Sequence, residues 1–207
     1  MTNPSEPDQP GRPDQPDQPD RADRPRPANQ GRRVAARNRA ALIAAAREVF
    51  AEHGLNAPLS SVARRAGVGQ GSLYRHFADR VALASAVLDE NVRQIERAAA
   101  EPDASLTSVL GVVTWHITRS TAFVDLLRVR GNDEQGRELS ARVRAVLDGY
   151  ESAGRGLGAD ELMLAIAMVS GAVAGPTLAE RERLARAAWG LLGIEVGPLR
   201  SIELVDE

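Results

Sequence analysis

The sequence predicts an all-α fold that is divided into two parts of unequal size. Its apolar residues are dominated by Ala, Leu and Val, whereas aromatic residues make up only 3% of the chain, and Ala and Leu are strong helix formers. Apolar positions also recur at the three- and four-residue steps of amphipathic helices. A chain of 207 residues is long enough to hold a small N-terminal module and a larger C-terminal helical domain.

The formal charge is unevenly distributed along the chain, although the net charge is only −2. Residues 32–80 contain nine Arg and three acidic residues, a local charge of +6, whereas residues 81–207 contain thirteen Arg and nineteen acidic residues, a local charge of −6. An excess of positive charge that is confined to one module is typical of a nucleic-acid-binding domain. We therefore expect residues 32–80 to face a polyanion.

The chain contains no cysteine, which excludes disulfides and cysteine-ligated metal sites within it. Its N-terminus lacks the basic and apolar pattern of a secretion signal, and no apolar run approaches the roughly 18 residues that span a bilayer. These features predict a soluble, cytoplasmic protein without a membrane partner.

Residues 1–31 differ in composition from the rest of the chain. They are rich in Pro, contain repeated Asp-Gln-Pro triplets and have almost no apolar side chains, so they cannot bury enough surface to offset the entropy cost of ordering. We predict a disordered tail. Its arginines are open to two interpretations, either as contacts to DNA phosphates or as part of a solvated linker.

Three helices are predicted after this tail. The first begins at about Arg33 and ends at Gly54, since glycine commonly follows a helix C-terminus. Pro58 suits the first turn of the second helix. The predicted inward side chains are Leu42, Ala45, Ala46, Val49, Phe50 and His53 on the first helix and Leu59, Val62, Ala63 and Ala66 on the second.

The third predicted helix spans about Gln70 to His76 and directs Leu73 and Phe77 toward the core. Asp79 can cap a fourth helix that continues to about residue 100. Further helices are predicted at 105–120, 122–130, 134–152, 160–174 and 178–192. The helix at 160–174 is apolar nearly all round, so we expect it to be buried on several sides, partly by a second subunit.

The last two of these helices are separated by Gly175-Pro176. Thr177 and Glu180 have the spacing of a capping box, in which a hydroxyl accepts a hydrogen bond from the amide three residues later. This pair predicts the start of the final helix.

The stretch AGVGQGSLYRHFADR, residues 66–80, carries the functional signal. Two short helices that are joined by a tight turn at Gly67, the second of them rich in groups that bond phosphates and base edges, describe a helix-turn-helix. Together with FAEHG (residues 50–54) and VARRAGV (residues 62–68), this stretch closely resembles the DNA-binding domain of TetR-family regulators over about residues 37–87.

The resemblance implies an organisation for the whole chain. Residues 32–80 would form a three-helix DNA-binding domain, with the helix-turn-helix at about 58–77, and residues 81–207 would form a helical effector-binding domain. Family members dimerise through their last two long helices, which implies a homodimer here. The C-terminal part is also similar to a subgroup that includes SbtR-like regulators.

The DNA contacts carried over by position fall on the helix-turn-helix. Gln can pair with adenine, Arg with guanine, and hydroxyl groups with backbone oxygens. Tyr74 can instead be a core aromatic, and His76 a helix-end residue that complements the macrodipole. The resemblance places Gln70, Gly71, Ser72 and Arg75 in the major groove and Tyr74, His76 and Arg80 on phosphates. Where the family has a Thr or Ser cap this chain has Pro58, so Ser60 or Ser61 would supply that polar contact.

The C-terminal residues that can line an effector pocket are aromatic, His or Met: Trp115, His116, Phe123, Met163, Met168 and Trp189. Each can equally be an ordinary core residue. No metal-ligand spacing surrounds His116, and no serine has a matched base. The sequence therefore predicts no enzyme activity, no metal and no cofactor.

The resemblance implies a repressor that binds double-stranded operator DNA and is released by a small-molecule effector. Two alternatives keep the same fold, namely an activator and a regulator that does not respond to ligands. A third, from another class, is a ligand carrier or an enzyme with a vestigial helix-turn-helix.

Overall fold

The computed structural model describes residues 28–119, 134–150 and 156–202. These residues contain helices and no strand, which confirms the all-α fold. No helix in these ranges is long and apolar enough to cross a membrane. The helices are α1 (Ala28–His53), α2 (Leu59–Arg65), α3 (Gln70–His76), α4 (Arg80–Ala100), α5 (Leu106–Arg119), α6 (Glu134–Asp148), α7 (Ala159–Ala172) and α8 (Leu178–Leu191).

The first three helices enclose a small core, with α1 packed against α2, α3 and α4. Helix α1 ends as predicted, because the amide of Gly54 donates to the carbonyl of Phe50 at 2.9 Å and Gly54 adopts a φ of +75°. The core side chains are Leu42, Val49, Phe50, Val62, Leu73 and Phe77.

Two predictions about α1 were wrong. The helix begins at Ala28 rather than at about Arg33, and its extra turn is exposed where the structure describes side chains, so packing does not account for the extension. His53 is exposed instead of lying on the buried stripe, because it is the last residue of α1 and lies beyond the core.

The turn between α2 and α3 has the geometry expected of a helix-turn-helix. Ala66, which is half-buried rather than fully inward, donates its amide to the carbonyl of Val62 at 2.9 Å, and Val68 donates to Ala63 at 3.0 Å. Gly67 lies between them with a φ of +64°, a conformation that side chains with a Cβ rarely adopt. The chain therefore reverses here within a few residues.

Helix α4 connects the small N-terminal module to the remaining helices, since it packs against α1, α5 and α6. Its start is capped as predicted, with Asp79 Oδ1 accepting from the amide of Ala82 at 2.7 Å. Arg142 of α6 reaches back to Asp89 at 2.6 Å and to Glu96 at 2.7 Å. Hydrogen bonding from Arg142 lowers the pKa of the Glu96 carboxyl.

The C-terminal helices form a second layer in which α5 contacts α8, α6 contacts α7, and α7 contacts α8. Trp189 of α8 is buried and donates from Nε1 to Thr114 Oγ1 of α5 at 2.9 Å. The predicted cap of α8 is present, because Thr177 Oγ1 accepts from the amide of Glu180 at 3.2 Å. After α8, the chain returns across α5, where Gly197 donates to the carbonyl of Thr107 at 2.9 Å.

Within one subunit, helix α7 is buried on one side, and its predicted further burial by a second subunit stays a prediction. It buries one face, which includes Leu162, Ile166 and Val169, because α6 and α8 cover only that face. On the other side, Leu164 is 62% exposed and Met168 is 53% exposed. The predicted helix at 122–130, the end of the predicted helix at 134–152 and nearly all of the predicted disordered tail lie outside the described residues.

Candidate nucleic-acid interface

Helix α3 presents an outward face above a buried anchor. Residues four apart lie on the same side of a helix, and α3 separates accordingly into rows. Leu73 and Phe77 form the anchor, since both are buried against α1 and α2. The remaining rows are Gln70 with Tyr74 and Gly71 with Arg75, which are exposed, and Ser72 with His76, which are half-buried. The groups of α3 that were predicted to contact DNA therefore lie on the sides of the helix that do not face the core, and they are exposed or half-buried.

Tyr74 is one of these groups and is not part of the core. Its side chain is 49% exposed, so the alternative of a core aromatic is wrong. His76 lies in the last turn of α3 and is half-buried, with its ring centroid 6.4 Å from that of Phe77. This position suits both a phosphate contact and an interaction with the helix dipole.

The start of α2 offers a second polar contact point next to α3. Pro58 is the N-cap residue, one position before the first turn in which it was predicted, and it supplies no side-chain cap. Ser60 is exposed and Ser61 is half-buried in the first turn. The hydroxyl groups of these serines are therefore placed near the exposed start of a helix, where anions are stabilised.

Arg80 has a structural role that sequence reasoning missed. Its Nη1 donates to the main-chain carbonyls of Leu55 and Ala57, and the side chain is half-buried. The guanidinium thus ties the start of α4 to the loop between α1 and α2. These contacts give Arg80 a structural role through Nη1, and its predicted phosphate contact stays a prediction, because they do not involve Nε or Nη2.

The arginines of this module differ in how much charge they leave exposed. Arg65 donates to Glu52 Oε1 at 2.7 Å and to Oε2 at 2.8 Å, which lowers the pKa of that carboxyl. Arg39 stacks over the ring of Phe77, with Cζ 5.3 Å from the centroid. Neither contact has a signal in the sequence, since the partners are 13 and 38 residues apart. Arg64 of α2 and Arg75 of α3 remain exposed.

The residues predicted to line an effector pocket do not converge in the described part of the chain. His116 is buried on α5, and burial lowers its pKa to about 3. Trp115 contacts the His116 ring at 5.0 Å and is covered by Arg119, whose Cζ lies 4.8 Å from the indole centroid. Trp189 is a core residue.

Of the other predicted pocket residues, Met168 is exposed on α7 and cannot line an enclosed site together with the α5 residues. Met163 borders a shallow hollow of about 250 Å³ beside α6. Phe123 lies outside the described residues. A larger cavity of about 600 Å³ lies instead between α1 and α4, at a position that sequence reasoning did not identify.

The match to a known family covers the helix-turn-helix. The model of bacterial regulatory proteins of the tetR family matches residues 42–87, which span the C-terminal half of α1, all of α2 and α3, and the start of α4. The A-factor receptor protein of Streptomyces griseus is 41% identical over 56 residues, which represent 27% of this chain and 20% of the relative. The match therefore spans about a fifth of that relative's length.

Solved structures extend the similarity to the C-terminal helices. A TetR transcriptional regulator from Streptomyces coelicolor is 27% identical, covers 76% of this chain and 98% of its own, and superposes with a TM-score of 0.57. The fold is also shared with the TetR family protein CprB from S. coelicolor, which is 23% identical over 77% of this chain and 88% of its own with a TM-score of 0.54. The helix-turn-helix geometry and the family match show that residues 42–87 carry the DNA-binding domain of the tetR family of bacterial regulatory proteins, and the described helices share the fold of a solved TetR transcriptional regulator.

Proposed function

We propose that this chain is a homodimeric transcriptional repressor that binds operator DNA through α3 and is released by a small-molecule effector. The family match over residues 42–87 supports DNA-binding control of transcription. The observation that carries the proposal is the distribution of side chains on α3. Its polar side chains are exposed or half-buried, whereas Leu73 and Phe77 are buried in the core. A short helix of this kind fits the major groove with its neighbour α2 across the backbone.

The outward face divides by chemistry into base readers and backbone contacts. Gln70 can bond adenine through two hydrogen bonds and Arg75 can bond guanine in the same way, which specifies sequence. The hydroxyls of Ser72 and Tyr74 and the His76 imidazole suit phosphate oxygens, which fix position. Ser60 and Ser61 would add a phosphate contact at the start of α2.

The apolar exposure on α7 supports the homodimer. Leu164 and Met168 are four residues apart and thus share a face, and both are more than half exposed. Leu191 near the end of α8 is 90% exposed. Exposed apolar surface of this kind marks protein–protein contacts. In the proposed dimer, α7 and α8 of each subunit form a four-helix bundle, and the small residues Ser170, Gly171 and Ala172 permit close approach.

Release by an effector is the finer part of the proposal. One relative is named a receptor for A-factor, which supports a ligand-responsive protein here. In such a protein, the effector favours a state in which the two α3 helices no longer match successive major grooves.

A gel-shift assay with the DNA upstream of the chain's own gene tests operator binding. We expect a shift that survives excess nonspecific competitor at moderate salt and that is weakened by Arg75→Ala. The absence of any sequence-specific shift would favour a carrier or enzyme with a vestigial helix-turn-helix.

Deletion of the gene separates repression from activation. Expression of a reporter that is driven by the bound promoter should rise in the deletion strain if the protein is a repressor. A fall in expression would identify an activator.

A further inference from the structure

A cavity of about 600 Å³ lies between α1, α4 and the chain segment at Ser201 and Ile202; we call it the α1–α4 cleft. Its size is within the range of small-molecule sites in proteins. One wall is apolar and is formed by Ala36, Ala40, Ile43, Ala44 and Ile202. This wall suits a short alkyl chain rather than a fully hydrated ion.

The polar wall of the cleft is strongly positive. Arg39 and Arg47 line it from α1, and Arg93 and Arg97 line it from α4. Glu90 is the one acidic residue among the described lining residues, which leaves a formal charge of +3 around the cavity. Arg93 is paired with Asp89 at 2.7 Å, so Arg39, Arg47 and Arg97 provide the excess positive charge, which favours an anion.

Several polar atoms in the cleft wall lack a hydrogen-bond partner in the described part of the chain. Gln94 is only 4% exposed and Glu90 only 8% exposed, yet Oε1 of each is unpartnered. The Nε donor of Arg47 is also buried and unpartnered. Buried polar groups in native proteins are nearly always satisfied, so these atoms indicate a molecule that brings both an acceptor and a donor.

Burial also makes the charged form of Arg47 less stable. Removal of water from its guanidinium lowers the pKa of this side chain, and the nearby Glu90 only partly opposes that effect. An anion in the cleft would supply the electrostatic stabilisation that the guanidinium loses with its water shell.

We propose that the α1–α4 cleft is an effector site that binds a small amphipathic organic acid bearing a hydroxyl group. Its carboxylate pairs with the cleft arginines, its hydroxyl donates to Oε1 of Gln94 or Glu90, and its alkyl chain lies on the Ala and Ile wall. This inference rests on the proposed function, because it names the chemistry and place of the effector.

The position of the cleft connects it to α3. Arg39 lines the cleft and also stacks over Phe77, and Phe77 closes α3 by donating its amide to the carbonyl of Leu73 at 2.9 Å. A carboxylate that draws Arg39 into the cleft removes this stacking and changes the packing of α3 against α1. Occupancy of the cleft therefore lowers affinity for the operator.

Titration calorimetry of the full chain without DNA tests the site with 3-hydroxyoctanoate as the probe. Two matched compounds separate the contributions of the carboxylate and the hydroxyl to the binding affinity, since octanoate lacks the hydroxyl and 1,3-octanediol lacks the carboxylate. We expect saturable binding of 3-hydroxyoctanoate, binding of octanoate that is weaker by roughly five-fold for one lost hydrogen bond, and no measurable binding of the diol.

Two cleft variants and one control locate the binding. Arg97→Ala removes an exposed arginine and should weaken both acids, whereas Arg186→Ala removes an exposed arginine of α8 outside the cleft and should weaken neither. Gln94→Leu removes the unpartnered acceptor, so 3-hydroxyoctanoate should bind it no better than octanoate does. Thermal melts check that each variant is folded. If Gln94→Leu does not fold, Arg97→Ala still tests whether the acids bind in the cleft.

Gel shifts with the operator then test the coupling. We expect 3-hydroxyoctanoate to reduce the shift of the wild type and to have less effect on Arg97→Ala at the same concentration. Absence of calorimetric binding, or equal affinity in wild type and both cleft variants, overturns the site. Binding that leaves the gel shift unchanged overturns its regulatory role. Failure of the unliganded protein to bind operator would instead overturn the proposed function.

Discussion

The exposed side chains of α3 differ in what they can recognise on DNA. Gln70 and Arg75 can each make two hydrogen bonds to one base edge, whereas the Tyr74 hydroxyl suits a phosphate oxygen. All three are exposed, so their replacement leaves the core unchanged. Sequence preference and affinity should consequently respond to different substitutions.

Replacing Gln70 or Arg75 by Ala should cost about 1–3 kcal/mol on the cognate operator and relax the preference at one base position, because a paired base contact is lost. Selection of binding sites from a random pool, combined with affinity measurements, checks this expectation. Tyr74→Phe is the control, and it should weaken binding without changing the selected sequence. If Arg75→Ala and Gln70→Ala both kept the wild-type preference, α3 would not be the reading helix.

Arg80 illustrates a residue whose role changes once its partners are known. Arg80→Ala should reduce the free energy of unfolding by about 1–3 kcal/mol, because two carbonyls that accept from the guanidinium lose their partner. Urea unfolding measures the change. Arg64→Ala, an exposed arginine of α2, is the matched control and should alter stability by less than about 0.5 kcal/mol.

The DNA affinity of Arg80→Ala gives a second readout. If Arg80 serves the fold alone, the salt dependence of the variant's DNA affinity should keep the wild-type slope. A slope reduced by about one unit with unchanged stability would indicate a phosphate contact.

Among the helices, α5 combines a close backbone contact with a buried titratable group. The chain after α8 passes so near that a Cβ on Gly111 would lie 2.5 Å from the carbonyl oxygen of Pro198. His116 is buried on the same helix. Helix α5 thus allows two tests of packing at the scale of one element.

Gly111→Ala should destabilise the protein by roughly 1–3 kcal/mol, because backbone atoms at Pro198 must move away from the new methyl group. Thermal unfolding measures the loss, and faster amide exchange at Gly197 would locate it, since that amide bonds to Thr107. Gly31→Ala is the control, because a Cβ there meets nothing within 4 Å. Equal stability of the two variants would contradict the close contact.

His116 should make stability fall as the pH falls below about 6.5. Burial lowers its pKa from 6.5 to about 3, so in this interval the unfolded chain binds a proton that the folded chain does not. The slope from this group approaches about 1.4 kcal/mol per pH unit. Urea unfolding between pH 7 and pH 5 should show a shallower dependence for His116→Leu than for the wild type. Parallel curves would indicate that His116 is solvated.

At the scale of the whole molecule, the exposed face of α7 should hold two subunits together. Leu164→Glu together with Met168→Glu should convert the dimer to a monomer at micromolar concentration, because charges would be buried in the helix bundle. Light scattering measures the mass. Operator affinity should fall with it, since a dimer spaces its recognition helices about 34–36 Å apart.

Ala145→Glu on α6 is the matched control for this pair, because it adds a charge at an exposed position outside the proposed bundle. It should leave the mass and the operator affinity unchanged. A wild-type protein that is monomeric at micromolar concentration would contradict the proposed assembly.

Local signals in the sequence determined helix starts and inward-facing residues in both parts of the chain. The bounds of α3, the caps at Asp79 and Thr177 and the inward direction of Leu73 and Phe77 were predicted and are present in the structure. Each depends on residues within about one or two helical turns, such as a capping oxygen or a four-residue apolar step. The sequence can therefore specify them without knowledge of the packing.

Tertiary packing decided what the remaining side chains do. The carbonyl partners of Arg80, the ion pair between Arg65 and Glu52 and the stacking of Arg39 over Phe77 join positions 13 to 38 residues apart. The α1–α4 cleft likewise exists only where two helices meet. An arginine has the same local pattern whether it contacts DNA, a carbonyl or a cavity, so only the arrangement of the helices assigns its role.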